Sequence, residues 1–351
     1  MKNTHYIYLF LLLIQPLNEL SAQVGFGKEC WCNDYVQALP SAIESNQKIR
    51  KKSGYEPLFD SLYNGIRYIQ KVRCLDLGYY GYSRLSLDFS QFPCLRCLIF
   101  PPEGQLGFSI FDQAKEFEKM RRLWYLYLQD VTTLPFEIFH IPRLRVLYLS
   151  SSPHLDVKSL ENILLQKPHL RELGLMDCNL KNISAAVLEI PSLRVLNLNY
   201  NRDLERNSLN KTLSQMPQLR ILSLVGCDLK TIPSAVLEIS SLKVLHLGNN
   251  PNLDPDSLQK MLLQMPHLRE LDLSSCDLDT IPGWLKERKG IRRVVLSFNK
   301  IPEEEIEKFR KETGIKTELK IKQPRVKVKK YRGVRYWFVP KELKNWDWGN
   351  D

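Results

Sequence analysis

Residues 170–178 read LRELGLMDC, 193–201 read LRVLNLNYN, 219–227 read LRILSLVGC, 242–250 read LKVLHLGNN and 268–276 read LRELDLSSC. Leucine returns at the first, fourth and sixth places of each segment, and the ninth place alternates between Cys and Asn. Apolar residues two apart share one face of an extended chain, so each segment predicts a short strand with its leucines facing a core. At the ninth place, Cys178, Asn201, Cys227, Asn250, Cys276 and Asn299 point inward. There a polar side chain serves the backbone of the neighbouring turn, Asn strongly and a thiol weakly.

Working outward, repeat starts fall at Leu144, Leu170, Leu193, Leu219, Leu242, Leu268 and Ile291, so steps of 26 and 23 residues alternate. The unit is therefore a 49-residue pair, and SAAVLEI at 184–190 matches SAVLEI at 234–239. The longer step has room for a helix. Asp254-Pro255-Asp256 offers a capping residue and a proline at the first helical position, and Leu258, Leu262 and Met265 face inward. The shorter step, with Ile232-Pro233, has room for one helical turn. Less regular repeats open at Val72, Leu95, Leu123 and Leu144, the second stretched by residues 101–120 with a helix expected over 113–120.

These segments resemble the leucine-rich-repeat family over roughly residues 72–315. The shorter unit looks like the plant and Ras-scaffold type of repeat, and the longer leans toward the ribonuclease-inhibitor type. The Ser-Ala-Gln junction at 21–23 and PEEEIEKFRK at 302–311 look similar to exported repeat proteins of Bacteroidetes-like bacteria. The resemblance implies an α/β solenoid: a horseshoe with a parallel sheet on its concave face, short helices on its convex face, and a role in binding other proteins. It names no partner.

The expected organisation is a signal peptide at 1–22, a helical N-terminal cap at 23–71 and about ten repeats at 72–300. A capping helix at 301–315 and a basic aromatic tail at 316–351 follow. Lys2, the apolar run Tyr6–Ile14 and Leu20-Ser21-Ala22 read as an export signal cleaved near Ala22. That run is too short to span a bilayer, which takes about 20 residues. The destination is the periplasm, the cell surface or the medium. In the capping helix, Glu303–Glu305 face the positive helix end, Ile306 and Phe309 face the core, and Gly314 stops it. A last strand is expected over 318–321.

The net charge is +11, and eleven Lys/Arg against four acids from Lys316 onward put +7 of it in the tail. A nucleic-acid role for the whole chain is therefore not favoured. The tail, with a hairpin expected over 325–339, completes the cap by packing Tyr336, Trp337 and Phe338 on Phe309, or touches an anionic envelope surface; a third reading, nucleic-acid binding by interleaved aromatic and basic residues, is disfavoured by export.

Cys178, Cys227 and Cys276 are expected as buried free thiols. The remaining five, Cys30, Cys32, Cys74, Cys94 and Cys97, allow at most two disulfides, with Cys30 or Cys32 tying the N-terminal cap to the first repeats. Zinc is disfavoured because neither Cys pair brings a partner His.

Binding candidates lie between the leucines. The second place carries Trp124, Arg145, Arg171, Arg194, Arg220, Lys243, Arg269 and Arg292, a file that either attracts an acidic partner or packs along the sheet edge. The third and fifth places bring Tyr125, Tyr127 and Tyr148 beside Trp124, and Trp and Tyr are frequent binding hot spots. The alternative is that the 101–120 insertion folds over them. Glu270 and Asp272 are two apart on one strand face, a spacing that could pair carboxylates, although a solvated face explains them more simply. His246 stands alone on that face. No Gly-Lys-Ser/Thr phosphate loop, H-E-x-x-H or G-x-S-x-G segment is present. The reading is an exported, monomeric, non-enzymatic protein without cofactor that binds a protein partner through its concave face. The second reading is a structural envelope protein held by its basic tail.

Overall fold

The computed structural model describes residues 74–76, 89–104, 109–288 and 290–318. The expected signal peptide, N-terminal cap, Cys30, Cys32 and the tail hairpin lie outside them. The described residues form one parallel sheet of eleven strands, paired in sequence order. The strands are β1 (Cys74–Asp76), β2 (Cys97–Pro102), β3 (Tyr125–Gln129), β4 (Val146–Ser150), β5 (Glu172–Met176) and β6 (Val195–Asn197). After these come β7 (Ile221–Ser223), β8 (Val244–His246), β9 (Glu270–Asp272), β10 (Arg293–Val295) and β11 (Lys316–Glu318). The last strand starts earlier than expected because Gly314, at φ 67°, reverses the chain straight into pairing with β10.

Strand order equals chain order because each coil returns to the sheet one strand further on. The registers place Leu147, Leu173, Leu196, Leu222, Leu245 and Leu271 side by side, all in one continuous apolar core. Burying a leucine is worth roughly 1.5–3 kcal/mol, so the core grows by a fixed increment per coil. At each strand start, the carbonyl of the second-place residue takes two N–H groups from the next coil. Arg145 O accepts from Arg171 N at 2.7 Å and Glu172 N at 3.0 Å, and Arg194 O accepts from Arg220 N at 2.8 Å and Ile221 N at 3.0 Å.

Helices cover one face of the sheet. The long coils carry α1 (Val157–Leu165), α2 (Arg206–Leu213) and α3 (Pro255–Leu263). Asp156 caps α1 by accepting from Lys158 N and Ser159 N, and Asp254 caps α3 by accepting from Ser257 N. The short coils carry 3-10 turns at Ala185–Val187 and Ser234–Glu238, then the four-residue α4 (Trp284–Glu287). The insertion helix is a 3-10 segment, Ile110–Lys119, capped by Ser109 Oγ. The array closes with α5 (Glu303–Thr313), three acids in its first turn and Ile306 and Phe309 buried.

The ladder residues join the coils. Asn201 is fully buried; its Oδ1 accepts from Cys178 N at 3.1 Å and Leu180 N at 3.0 Å, and its Nδ2 donates to Leu175 O at 2.7 Å and Leu198 O at 2.8 Å. Asn250 and Asn299 repeat the arrangement toward Leu224 O and Leu273 O. Each thiol donates weakly: Cys178 Sγ to Met176 O at 3.4 Å, Cys227 Sγ to Leu198 O at 3.2 Å and Cys276 Sγ to Leu247 O at 3.4 Å. All three are free and buried, and burial pushes the thiols up to about 12, 12 and 11 respectively.

One ladder member went unrecognised in the sequence. Ser152 holds the same place in the β4 coil, its Oγ donating to Ser150 O and accepting from Val131 N. The signal was there: nine residues counted from Leu144 end on Ser152. The residue before each ladder position has positive φ, including Ser151, Asp177, Tyr200, Gly226, Asn249, Ser275 and Phe298. That left-handed step turns the ladder side chain inward.

Candidate functional site

The side of the sheet opposite the helices, the concave face of the expected horseshoe, carries the third- and fifth-place side chains in two rows. Register makes Tyr125, Val146, Glu172, Val195, Ile221, Val244, Glu270 and Arg293 one row. It makes Tyr127, Tyr148, Gly174, Asn197, Ser223, His246 and Asp272 the other.

At the N-terminal end the aromatic cluster forms, but it does not present an open surface. Tyr125, Tyr127 and Tyr148 are 6, 8 and 3 % exposed and pack with Cys97, Ile99, Val146 and Met176; only Trp124 is half-buried. Tyr127 and Tyr148 stack at 6.4 Å, and Tyr125 lies 6.0 Å from Tyr148. The insertion helix does not fold over them. Its Ile110 and Phe117 enter the main core on the helix side, where Phe117 meets Phe100 edge-on at 6.0 Å. A tyrosine fits here because the next coil makes room: the ring of Tyr148 leans across Gly174, and its hydroxyl donates to Glu172 Oε1.

Glu172 is 2 % exposed. Burial pushes its carboxyl up to about 7, against the opposing pull of the Tyr148 hydrogen bond. Burial, then the Glu172 charge, holds Tyr148 well above the usual phenol range. Tyr125 is raised likewise by burial and then by Cys97.

In the middle, Val195, Ile221 and Val244 make a buried apolar stripe. Beside it, Asn199 Oδ1 accepts from Ser223 Oγ at 2.7 Å and Val225 N at 2.8 Å. At the C-terminal end, register sets the half-buried His246 beside Asp272, with Glu270 and Arg293 in the adjacent row. Arg293 pairs with Glu270 at 2.8 Å, and Asp272 Oδ1 accepts from Ser274 N at 2.8 Å. Each carboxylate thus has its own partner rather than sharing a proton with the other. Burial holds the His246 imidazole below its usual range, Asp272 and Glu270 pull it up, and Arg293 opposes them. Among the described residues, no group of three or more His, Cys, Asp or Glu could hold a metal ion.

The basic file runs along the edge where strands begin. Arg145 Nη1 donates to His169 O at 3.2 Å, and Arg194 Nη1 donates to Pro191 O at 2.8 Å and Leu193 O at 3.0 Å. Arg269 Nη1 donates to Pro266 O at 3.1 Å. The packing expected at the sheet edge is therefore present, and the charges remain. Arg145 is lowered by burial, then by Arg171 and Arg143; Arg194 is lowered by burial, then by Arg220 and Arg171.

Of the five cysteines offered for disulfides, Cys94 carries a free thiol. Cys94 Sγ sits 3.7 Å from Arg122 Nη1, and Cys97 is buried among the open-face tyrosines. Cys74 opens β1 in register with Cys97.

Among known proteins, residues 168–229 match a leucine rich repeat family model and residues 264–280 match a second one. The chain therefore contains leucine-rich repeats over these two segments. No curated protein matches it. Solved structures similar to it include a leucine-rich-repeat protein of Leptospira interrogans, 18% identical with a TM-score of 0.31, covering 74% of this chain and 98% of that one. A complex of TLR13 with a single-stranded RNA is 18% identical at TM-score 0.42, covering 68% and 41%. An internalin of Listeria monocytogenes is 16% identical at 0.38, covering 74% and 83%.

Proposed function

We propose that this leucine-rich-repeat protein is an exported, non-enzymatic recognition protein that binds another protein with the sheet and its basic edge. One observation supports it most: from β4 to β10 every strand begins beside an Arg or Lys on the same edge, seven in succession. A rigid, repeating scaffold that sets like charges in file offers a partner a preformed surface at low ordering cost. The aromatic cluster stiffens one end of that surface rather than forming it. Support for a non-enzymatic role comes from Glu270 and Asp272, each engaged by its own partner. Among the described residues no helix is long and apolar enough to cross a membrane.

The test has two arms. The intact precursor is expressed in its source cells, and the chain recovered from envelope and medium is weighed; a product starting at Gln23 supports export, and an unprocessed cytoplasmic chain sinks it. Cross-linking then compares the wild type with Arg171→Glu/Arg220→Glu. One defined partner lost in the variant supports the reading; the same partners in equal yield reject the edge as the binding surface.

A further inference from the structure

We infer that the basic edge receives an acidic segment of the partner protein, laid extended across the starts of strands β4–β10. This deepens the proposed function and rests on it. The file comprises Arg145, Arg171, Arg194, Arg220, Lys243, Arg269 and Arg292, one per strand in unbroken register. Neighbouring strands lie about 4.8 Å apart, so the seven side chains span roughly 29 Å, the length of about nine extended residues.

The file is held in shape from within the chain. The bonds of Arg145, Arg194 and Arg269 to carbonyls at the strand starts fix these guanidinium groups against the edge without neutralising them. Among the described residues none of the three pairs with a carboxylate. Arg171 and then Arg143 act on Arg145 as like charges, and Arg220 and then Arg171 act on Arg194 in the same way. Like charges gathered this way cost the free protein self-repulsion, and a negatively charged ligand relieves it. Because the anchoring already spends side-chain entropy, less is lost when carboxylates arrive. An extended peptide presents alternate side chains on one face, so alternating acids deliver several carboxylates to the file at once.

The experiment uses the full chain and a fluorescent ten-residue peptide of alternating Glu and Ala, with Gln-Ala and Lys-Ala peptides and a ten-nucleotide single-stranded DNA as comparators. Anisotropy is read at low and physiological salt. Lys243→Glu/Arg292→Glu alters two exposed file members, and Lys211→Glu/Lys260→Glu makes the same charge change on helices α2 and α3. The expected result is binding of the acidic peptide only, weakened at least tenfold by the file variant and less than twofold by the helix variant, and falling with salt. Equal loss in both variants, no binding of the Glu-Ala peptide, or tighter binding of the DNA overturns the inference. If the peptide fails while cross-linking still shows an edge-dependent partner, the acidic-segment inference falls and the proposed function stands.

Discussion

The ring of Tyr148 occupies the space that a side chain at position 174 would fill: a Cβ on Gly174 would collide with Tyr148 Cδ1. The two residues are register partners on β4 and β5, so the glycine is what lets the tyrosine lie flat and reach Glu172. Gly174→Ala must push the ring aside, and overpacking of this kind costs about 1–3 kcal/mol. Denaturant midpoints should show that loss. Adding Tyr148→Ala to Gly174→Ala should cost less than the two single losses combined, because the clash vanishes with the ring. Simple additivity would mean that the ring and the glycine are not coupled.

Glu172 supplies the second prediction. Its carboxyl is raised from 4.5 to about 7 by burial. A raised carboxyl means that the folded state holds its proton more tightly than the unfolded state. Between about pH 4.5 and 7 the unfolded chain therefore binds fewer protons, and stability falls as pH rises. Glu172→Gln keeps an acceptor for Tyr148 and removes the charge. It should stabilise the protein at pH 8 by up to about 3 kcal/mol and have little effect at pH 4. Urea titrations at both pH values check this, and a variant less stable at pH 8 contradicts it.

The ladder positions should differ in energetic weight. Asn201→Ala strips partners from the Cys178 and Leu180 N–H groups and from the Leu175 carbonyl in a buried site. Leaving each such group unsatisfied costs about 1–3 kcal/mol, so a loss of at least about 3 kcal/mol is expected. Cys227→Ala removes only weak thiol hydrogen bonds and a small apolar volume, so about 1 kcal/mol is expected. Equal losses in thermal and urea unfolding would show that the alternation carries no energetic meaning.

The thiols offer a reactivity test. The thiolate is the reactive form, and burial holds Cys178, Cys227 and Cys276 near 11 to 12. At pH 8, iodoacetamide should leave all three unmodified in the native protein over the period in which the half-buried Cys94 is alkylated. Guanidinium should make them all react. Peptide mass mapping reads the outcome, and native labelling of Cys227 would contradict its burial.

Much of the scaffold was legible because its determinants repeat. Leu173 and Leu175 predict a strand from their spacing alone, and Asp254-Pro255 predicts the start of α3. The capping helix was equally readable from Glu303–Glu305, Phe309 and Gly314. The open face was less readable because its residues are defined by neighbours 20 to 30 positions away. Nothing near Tyr148 in the chain says that position 174 lacks a side chain, and nothing near His246 says that Asp272 stands beside it. Ser152 was missed for another reason: its hydroxyl does the work of an Asn or a thiol in a coil whose signature otherwise looked incomplete.

The ladder bonds make the protein's length editable in fixed increments. Asn201 reaches Leu175 O as Asn250 reaches Leu224 O, so the junction entering one 49-residue pair has the chemistry of the junction entering the next. Excising residues 193–241 would set Asn250 against Cys178 and Leu180 and retire two strands. It would bring the aromatic end about 10 Å closer to the C-terminal cap and keep the ladder bonding at the new junction. Removing 23 or 26 residues alone would set two ladder positions of the same kind side by side. A gene encoding this chain can therefore lengthen or shorten its reach by duplication or loss of whole pairs, while each terminus keeps its own chemistry.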